Sequence, residues 1–330
     1  MDTPDICVII VNYGTADLAI EAVESVLDRS EDSWNVHVHL VDNASPGDDA
    51  AQIASVHAER SWSGQVTLHL EDENHGFGRG NNLVLEAYQR QGGLPDKVFL
   101  LNPDARLENN AIDILAEFLD QTPEAGFAGA STTTPDGNPT TAAFRFPNAI
   151  YEFSRNLNFG PIARLLKKHE VPLAPPYPKE RVDWVCGAAV MAKREALQQA
   201  NFFDPVFFLY FEEVDLMRQA ALEGWETWHI PDAVVIHAEA VSTGVKIGRH
   251  ERRRLPSYWY ASWLHYFRKN HGRSGALIAA AAYLSGYAGQ QVIAPIRGRS
   301  TTAPKAAFRD FLRLVVLPLL RHHQETASVK

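Results

Sequence analysis

Cysteine is scarce in this sequence. Its 330 residues include two cysteines, Cys7 and Cys186, which lie far apart and in no spacing typical of a metal site. Scaffolds that depend on disulfides carry several closely spaced cysteines. The sequence therefore argues against a disulfide scaffold and favours a reducing compartment.

A basic leader and a long apolar run are also missing at the start of the chain. The opening MDTPDICVIIVN carries no positive charge before its short apolar run, unlike a secretory signal peptide. The sequence thus predicts a cytoplasmic protein. Hydrophobic residues make up 45% and charged residues 22%, which is typical of a folded chain with a sizeable core.

Acidic residues are rare towards the C-terminus. From Lys246 to Lys330 there are 15 Lys and Arg but only 3 Asp and Glu, whereas the preceding residues hold 16 basic and 37 acidic ones. This asymmetry favours contact with an anionic partner such as membrane lipid or phosphate, and attraction between two parts of the chain is the alternative. The acidic body argues against a nucleic-acid partner.

Short apolar runs alternate with helical patterns through the first 120 residues. Ile6–Val11, Val36–Val41, Val66–Leu70 and Lys97–Leu101 are typical of strands, and periodic apolar positions between them indicate helices. The alternation predicts an α/β fold with a Rossmann-like, mostly parallel sheet and helices on both faces. Ligands of such sheets bind beyond the carboxyl ends of the strands.

The regular pattern stops after residue 130. Residues from about 140 to 181 are rich in proline and aperiodic, which predicts an irregular insertion or loop. A helix is expected over Glu212–Glu223 and a strand over Val234–Ile236.

These patterns divide the chain into two expected regions. We expect a catalytic domain over residues 1–256, with a nucleotide-binding half over 1–130 and an acceptor-side half over 131–256. A helical, basic C-terminal extension should follow over residues 257–330.

Polar motifs recur where the predicted strands should end. VNYG follows the first strand, VDNAS the second, NHGFGRGNN the third, and LLNPDA the fourth. Each motif alone is an ordinary turn or cap sequence. Because all four should lie on one rim of a sheet, together they predict a binding cleft.

These motifs, followed by WVCGAAVMAKREAL and FFLYFEEVDL, resemble the family 2 glycosyltransferases of GT-A fold, and most of all their bacterial rhamnosyltransferase-like branch. The resemblance covers roughly residues 5–270. It implies an inverting, metal-dependent, hexosyltransferase-type enzyme that moves a sugar from a nucleoside-diphosphate donor to an acceptor hydroxyl. Rhamnose from dTDP-rhamnose is the favoured donor. The implied acceptor is a lipid-linked or cell-envelope glycan, which places a peripheral enzyme at the inner face of the cell membrane.

The resemblance also implies which residues bind the donor nucleotide. Asp42 would accept a hydrogen bond from a pyrimidine ring N–H, the glycines would let the backbone approach the nucleotide, and Asn82 would open the next helix. The implied donor-binding residues are Val11, Asn12, Tyr13, Asp42, Asn43, Gly76, Phe77, Gly80, Asn82 and Asn102.

Asn102-Pro103-Asp104 takes the place of the family's Asp-x-Asp element. The resemblance implies that Asp104 and His237 bind Mg²⁺ or Mn²⁺, which neutralises the diphosphate of the donor. Asn102 offers a neutral oxygen where the family often has a carboxylate. The alternatives are a helix-capping loop at Asp104 and a purely structural histidine at position 237.

An acidic cluster, Glu212-Glu213-Val214-Asp215, follows the apolar run VFFLYF. Apolar surroundings and a neighbouring carboxylate both raise a carboxyl pKa, as acid–base catalysis at neutral pH requires. By resemblance Glu213 is the general base, with Glu212 beside it as a second catalytic carboxylate, and Trp184 and Gly187 lie on the acceptor side. The alternative is an acidic first turn that stabilises its helix.

Two other functions remain open on the same sequence. A sugar-nucleotide nucleotidyltransferase would need basic residues directly after the first strand, where VNYGTADLA has none. A non-catalytic nucleotide-sugar-binding assembly protein would have lost Asp104 or the acidic cluster, and both are present.

The C-terminal extension combines basic and apolar segments. Arg249, Arg252, Arg253 and Arg254 precede an aromatic-rich stretch, and Ser274–Ile296 contains no charged residue. This pattern predicts contact with an anionic membrane surface. A helical subdomain that packs on the catalytic part or forms a dimer interface is the alternative.

Overall fold

The computed structural model describes residues 5–29, 34–60, 62, 64–175, 177–238 and 253–321. The chain divides into two compact units. The sheet unit comprises Met1–Phe146 and Pro172–Gly248, and the helical unit comprises Pro147–Val171 and Arg249–Lys330. The helical unit thus includes a central segment that the sequence did not connect with the C-terminus.

The strands of the sheet unit are β1 (Ile6–Asn12), β2 (Val36–Asp42), β3 (Val66–Leu70), β4 (Lys97–Leu101), β5 (Ala105–Leu107), β6 (Ala125–Thr133), β7 (Ala143–Phe144), β8 (Glu180–Val182), β9 (Trp184–Val185), β10 (Ala189–Lys193) and β11 (Glu226–His237).

The helices, in chain order, are α1 (Ala16–Arg29), α2 (Asp49–Glu59), α3 (Phe77–Gln91), α4 (Ala111–Gln121), α5 (Ala149–Leu157), α6 (Gly160–Leu165), α7 (Arg194–Gln199), α8 (Glu212–Leu222), α9 (Ser257–Ile296), α10 (Ala307–Phe311) and α11 (Leu317–Leu320). Of these, α5, α6 and α9 to α11 belong to the helical unit.

One large sheet organises the sheet unit. Within the described residues its order is β3-β2-β1-β4-β10-β6-β11-β5, with β8 paired to β11. Strands β1 to β4 are parallel, β10 runs antiparallel between β4 and β6, and β6 and β11 are parallel to each other. The predicted mostly parallel sheet is confirmed, and the carboxyl ends of β1, β2 and β4 share one rim.

The alternation of side chains along β1 explains why helices cover both faces of the sheet. Ile6, Val8 and Ile10 pack in one buried cluster with residues of α1, α2 and α4. Cys7 and Ile9 face the other way and pack with residues of α3, α7 and α8. A strand buried on both faces is a continuous apolar run, as the sequence shows.

The predicted irregular insertion over 140–181 is wrong, because α5 and α6 lie inside it. The Asn148 side chain accepts a hydrogen bond from the Tyr151 N–H and caps α5. The helix packs against α9, more than a hundred residues later in the chain. Its partner is too distant for local periodicity to reveal.

The helical unit is built around α9. This helix is interrupted at Gly272, whose φ is +67°. A Cβ placed on Gly286 would lie 2.3 Å from the carbonyl oxygen of Phe153 in α5, so glycine allows the two helices to approach closely. Within the described residues, none of the helices combines the length and apolar character that crossing a bilayer requires.

Candidate active site

The first two strands end in a buried polar network. Asn12 Nδ2 donates to Asp42 Oδ1 at 2.9 Å, and the Ser45 hydroxyl donates to the same oxygen at 2.6 Å. The other carboxylate oxygen, Oδ2, accepts from the Ser45 N–H at 3.1 Å. Asp42 is only 1% exposed. The network therefore fixes both loops, and Oδ2 is the oxygen with fewer partners.

Val11 and Tyr13 flank Asn12 and differ in exposure. Tyr13 is 42% exposed, whereas Val11 is buried. A Cβ placed on Gly80 would lie 2.9 Å from Val11 Cγ1, which is too close for an unchanged structure. Gly80 thus lets α3 pack against the end of β1, and Tyr13 is the side chain of this loop that a ligand can reach.

Asn43 holds the glycine-rich segment that follows β3, residues 74–82, which we call the glycine loop. Its Nδ2 donates to the carbonyl of Gly76 at 3.1 Å, and its Oδ1 accepts from the His75 N–H at 3.0 Å. Gly76 has a φ of +77°, and a Cβ there would lie 1.9 Å from the carbonyl oxygen of Phe208. Both the backbone conformation and the available space therefore require glycine at this position.

Two further contacts join α3 to the segment that leads into α8. Asn82 Nδ2 donates to the Phe203 carbonyl at 2.8 Å, and its Oδ1 accepts from the Phe203 N–H at 3.2 Å. The Phe77 N–H donates to the Phe208 carbonyl at 3.2 Å. Because α3 begins at Phe77, Asn82 lies in the second turn and does not open the helix. Its contact with a donor stays a prediction.

Asp104, His237 and Asn102 form a corner at the end of β4 and β11. The pairing of β5 with β11 places Ala105 opposite His237. Asp104 Oδ1 then lies 3.1 Å from His237 Nε2, and Asn102 Nδ2 lies 3.5 Å from the same nitrogen. Asp104 does not cap α4, which begins at Ala111. The capping role that the sequence left open for Asp104 is therefore wrong. Asp104 and His237 are far apart in the sequence, and the pairing of β5 with β11 brings them together.

This corner suits a cation that takes some of its ligands from the protein and the others from a bound substrate. Within the described chain, no three Asp, Glu, His or Cys side chains are grouped to hold a metal. One carboxylate, one imidazole and one amide leave coordination positions for phosphate oxygens and water. A groove of about 160 Å³ borders Asp104, with Leu18, Arg106 and Pro135 among its lining residues.

Glu212 and Glu213 occupy the first turn of α8. Each has its Oε2 buried and without a hydrogen-bond partner within the described residues. Burial raises the pKa of Glu212 well above its usual range, and the charge of Glu213 raises that pKa further. Burial also raises the pKa of Glu213, but the N–H groups of Glu213 and Val214 favour its ionised form. Burial therefore raises the pKa of both carboxyls, and the two groups titrate as a pair.

Gly187 lies where the predicted donor side and the acidic pair meet. A Cβ placed on Gly187 would lie 3.6 Å from the Phe77 ring and 3.8 Å from Glu213 Cβ. The neighbouring Ala188 carbonyl accepts from the Asn102 N–H at 2.9 Å. The structure thus brings the glycine loop, the acidic pair and the Asn102 loop to one place.

Trp184 lies on an aromatic stack that the sequence did not reveal. Its ring stacks on Phe144 with centroids 3.9 Å apart and planes 9° apart, and its Nε1 donates to the Arg145 carbonyl at 2.9 Å. The stack depends on the pairing of β7 with β9, two short strands distant in the sequence. Neither the strands nor the Phe144 partner has a local sequence signal. By contrast, the Ser of VDNAS could have pointed to Ser45 as a partner of Asp42.

Comparison with known proteins identifies relatives over part of the chain. Residues 7–174, about half of the chain, match the sequence model of the family described as Glycosyl transferase family 2. The chain is 28% identical over 192 residues to the N-acetylglucosaminyl-diphospho-decaprenol L-rhamnosyltransferase of Mycobacterium tuberculosis, covering 54% of this chain and 61% of that protein. It is 23% identical over 168 residues to rhamnosyltransferase WbbL of Escherichia coli, covering 49% of this chain and 61% of that protein.

A solved structure extends the likeness to nearly the whole chain. The mannosyltransferase PcManGT of Pyrobaculum calidifontis, solved with GDP-Man and Mn²⁺, superposes with a TM-score of 0.54 at 17% identity. The superposition covers 91% of this chain and 77% of that one, and it supports the expected GT-A fold. The chain belongs to glycosyl transferase family 2, with rhamnosyltransferases among its relatives.

Proposed function

We propose that this chain is an inverting glycosyltransferase that moves a sugar from a nucleoside-diphosphate donor to an acceptor hydroxyl. The observation that carries the proposal is the buried Glu212–Glu213 pair beside Gly187, next to Phe77 of the glycine loop. A buried carboxyl group beside the glycine loop, where the donor is predicted to bind, fits a base that assists sugar transfer. Family membership supports the reaction class.

Glu213 is the base in this proposal because it lies beside Gly187 and because the N–H groups of Glu213 and Val214 favour its ionised form. It accepts the proton of the acceptor hydroxyl while that oxygen bonds to the anomeric carbon of the donor sugar. The bond from the anomeric carbon to the diphosphate breaks on the opposite side, so the configuration inverts. Glu212 keeps its proton, and no covalent intermediate with the enzyme is needed.

Asp104 and His237, with Asn102, are the residues that would hold Mg²⁺ or Mn²⁺. The chemistry that such a cation would supply is neutralisation of the negative charge on the departing nucleoside diphosphate. The oxygen and nitrogen donors at this corner suit such an ion, and the Mn²⁺ in the Pyrobaculum structure supports it.

Two relatives are named as rhamnosyltransferases, and one name includes a decaprenol-linked acceptor, which supports rhamnose as the sugar and a lipid-linked acceptor. Within this proposal the donor is dTDP-rhamnose and the acceptor is a lipid-linked, cell-envelope glycan. Asp42 then accepts from the pyrimidine N–H through Oδ2, the oxygen that makes one hydrogen bond in the structure. Tyr13, exposed beside it, packs against the base or ribose.

We propose that the helical unit binds the anionic lipid surface at the inner face of the cell membrane. Three apolar residues of α9, Ile278, Val292 and Ile296, are exposed at spacings that place them on one helix face. Exposed Arg273 and Arg297 lie just before and after this uncharged stretch. Arg249 and Arg252 of the predicted basic cluster lie outside the described residues.

The chemical step is tested by replacing each buried carboxylate in turn. We expect Glu213→Gln to lower kcat by about 10²–10⁴-fold at nearly unchanged donor affinity, since Gln keeps the shape but cannot accept the proton. Glu212→Gln is the matched control and should retain most activity, because Gln resembles the protonated acid. Steady-state kinetics of both variants show which carboxyl group turnover requires. Loss of turnover in Glu212→Gln alone would mean that the wrong carboxylate has been chosen.

The pKa of Glu212 also predicts how stability depends on pH. A carboxyl whose pKa is raised by folding stabilises the protein below its unfolded pKa of about 4.3, and this contribution is lost as pH rises through the folded pKa. Relative to Glu212→Gln, the wild type should lose about 1.4 kcal/mol for each unit by which folding raises the pKa. Urea unfolding of both proteins from pH 4 to pH 8 measures the difference. Parallel stability curves would contradict the raised pKa.

Metal dependence is tested on nucleotide binding, without turnover. Calorimetric affinity for dTDP and UDP should fall on the order of tenfold or more when EDTA replaces Mn²⁺, because a cation held by Asp104 and His237 would offset the charge of the diphosphate. Asp104→Asn should lower affinity similarly in Mn²⁺. Asp136→Asn, at an exposed turn, should behave like wild type. Affinity that neither EDTA nor Asp104→Asn changes would remove the cation from the proposal.

Membrane contact is tested by co-sedimentation with vesicles. Recovery should rise with the fraction of anionic lipid and fall with salt, because surface charges are screened. Ile296→Ser should reduce recovery, whereas Val206→Ser, an exposed apolar residue of the sheet unit, should not. Equal recovery on neutral and anionic vesicles would count against the membrane, and concentration-dependent dimers lost in Ile296→Ser would favour an interface between copies.

A further inference from the structure

The ends of the first three strands carry one row of neighbouring side chains. The parallel register pairs Asn12 of β1 with Asp42 of β2, and Asp42 with Leu70 of β3. The alternate residues before each of them pack in the cluster covered by α1 and α2, so all three side chains leave the sheet on that face. Adjacent strands lie about 4.8 Å apart, which makes Leu70 the neighbour of Asp42 on the β3 side.

Exposure distinguishes the members of this row and the tyrosine beside it. Asp42 is buried, whereas Leu70 is 50% exposed and Tyr13, directly after Asn12, is 42% exposed. Among the described residues between 5 and 146, these two are the exposed large hydrophobic side chains. Single exposed apolar residues are ordinary, but here two of them flank one buried carboxylate at the rim where such sheets bind ligands. The pair is therefore suited to the apolar surface of a ligand.

The hydrogen bonds of Asp42 leave its β3 side apolar. Its partners are Asn12, on the β1 side, and Ser45 of its own loop. Leu70 has no polar side-chain atom, so it does not compete with a ligand for the carboxylate. Within the described sheet β3 is the edge strand, and no further strand covers Leu70. A planar ring whose N–H reaches Asp42 therefore has an apolar neighbour at the distance of one strand.

We propose that Leu70 contacts the 5-methyl group of a thymine base and makes the site prefer thymidine over uridine nucleotides. In thymine a single carbonyl carbon separates the methyl-bearing carbon from the ring N–H, so both lie on the same half of the ring. A base that donates its N–H to Asp42 can thus direct its methyl group towards the neighbouring strand. Uracil has no methyl group to cover Leu70. The inference rests on the proposed role of Asp42 and adds the residue that discriminates between the two bases.

The test compares dTDP with dUDP, because these two nucleotides differ by the methyl group alone. Their affinities are measured by calorimetry in the same Mn²⁺ buffer, without acceptor and without turnover. Wild type should bind dTDP about fourfold more tightly than dUDP, as expected for burial of one methyl-sized apolar group. Leu70→Ala should bring the two affinities to about the same value, mainly by weakening the binding of dTDP.

Two further variants make the outcome specific to the leucine side chain at this position. Leu70→Met keeps an apolar side chain of similar volume, so it should keep the preference for dTDP. Leu222 is 72% exposed at the end of α8 in the same unit. Leu222→Ala should therefore leave the ratio of the two affinities as in wild type.

The possible failures separate this inference from the proposed function. Equal affinities in wild type, or a preference for dTDP that survives in Leu70→Ala, would overturn the role of Leu70. Binding of either nucleotide would still leave the proposed sugar transfer standing. A wild type that binds neither nucleotide in Mn²⁺ would overturn the proposed nucleoside-diphosphate donor and, with it, this inference.

Discussion

The burial of two neighbouring carboxylates at the start of α8 is the constraint on which the site depends. Glu212 and Glu213 each keep an oxygen away from water without a hydrogen-bond partner in the described chain. A carboxyl group in such a place ionises only if nearby hydrogen-bond donors or positive charges stabilise the carboxylate. Otherwise it stays protonated. Here the first-turn N–H groups favour ionisation of Glu213, whereas burial and the charge of Glu213 raise the pKa of Glu212. The two roles follow from one environment.

The segment before α8 must be held firmly for this arrangement to persist. Tyr210 and Phe211 both have positive φ, near +70°, a conformation that costs a residue with a side chain about 1–3 kcal/mol. The contacts from α3 offset that cost. Gly76 packs against the Phe208 carbonyl, and Asn82 binds both backbone groups of Phe203. The glycine loop thus contacts and fixes the segment that leads into the acidic pair, although the two lie far apart in sequence.

The sequence predicted the sheet well because its signals are local. Each of β1 to β4 is an apolar run followed by polar turn residues, so both the strands and the rim of the cleft could be located. The remaining features depend on distant contacts. The Asp104–His237 corner requires β5 to pair with β11, and the Trp184 stack requires β7 to pair with β9. The proline-rich segment conceals α5, a helix of nine residues that packs against α9, far along the chain.

Hydrogen-bond capacity separates the residues that can contact a donor from those that position others. Asn82 is buried and uses both its amide atoms on Phe203, so a donor would have to compete with the backbone for it. Asp42 is also buried, but its Oδ1 accepts hydrogen bonds from Asn12 Nδ2 and the Ser45 hydroxyl, and its Oδ2 accepts one from the Ser45 N–H. A carboxylate oxygen can accept more than one hydrogen bond. Because the network already fixes its direction, binding a pyrimidine N–H there would cost little further side-chain entropy.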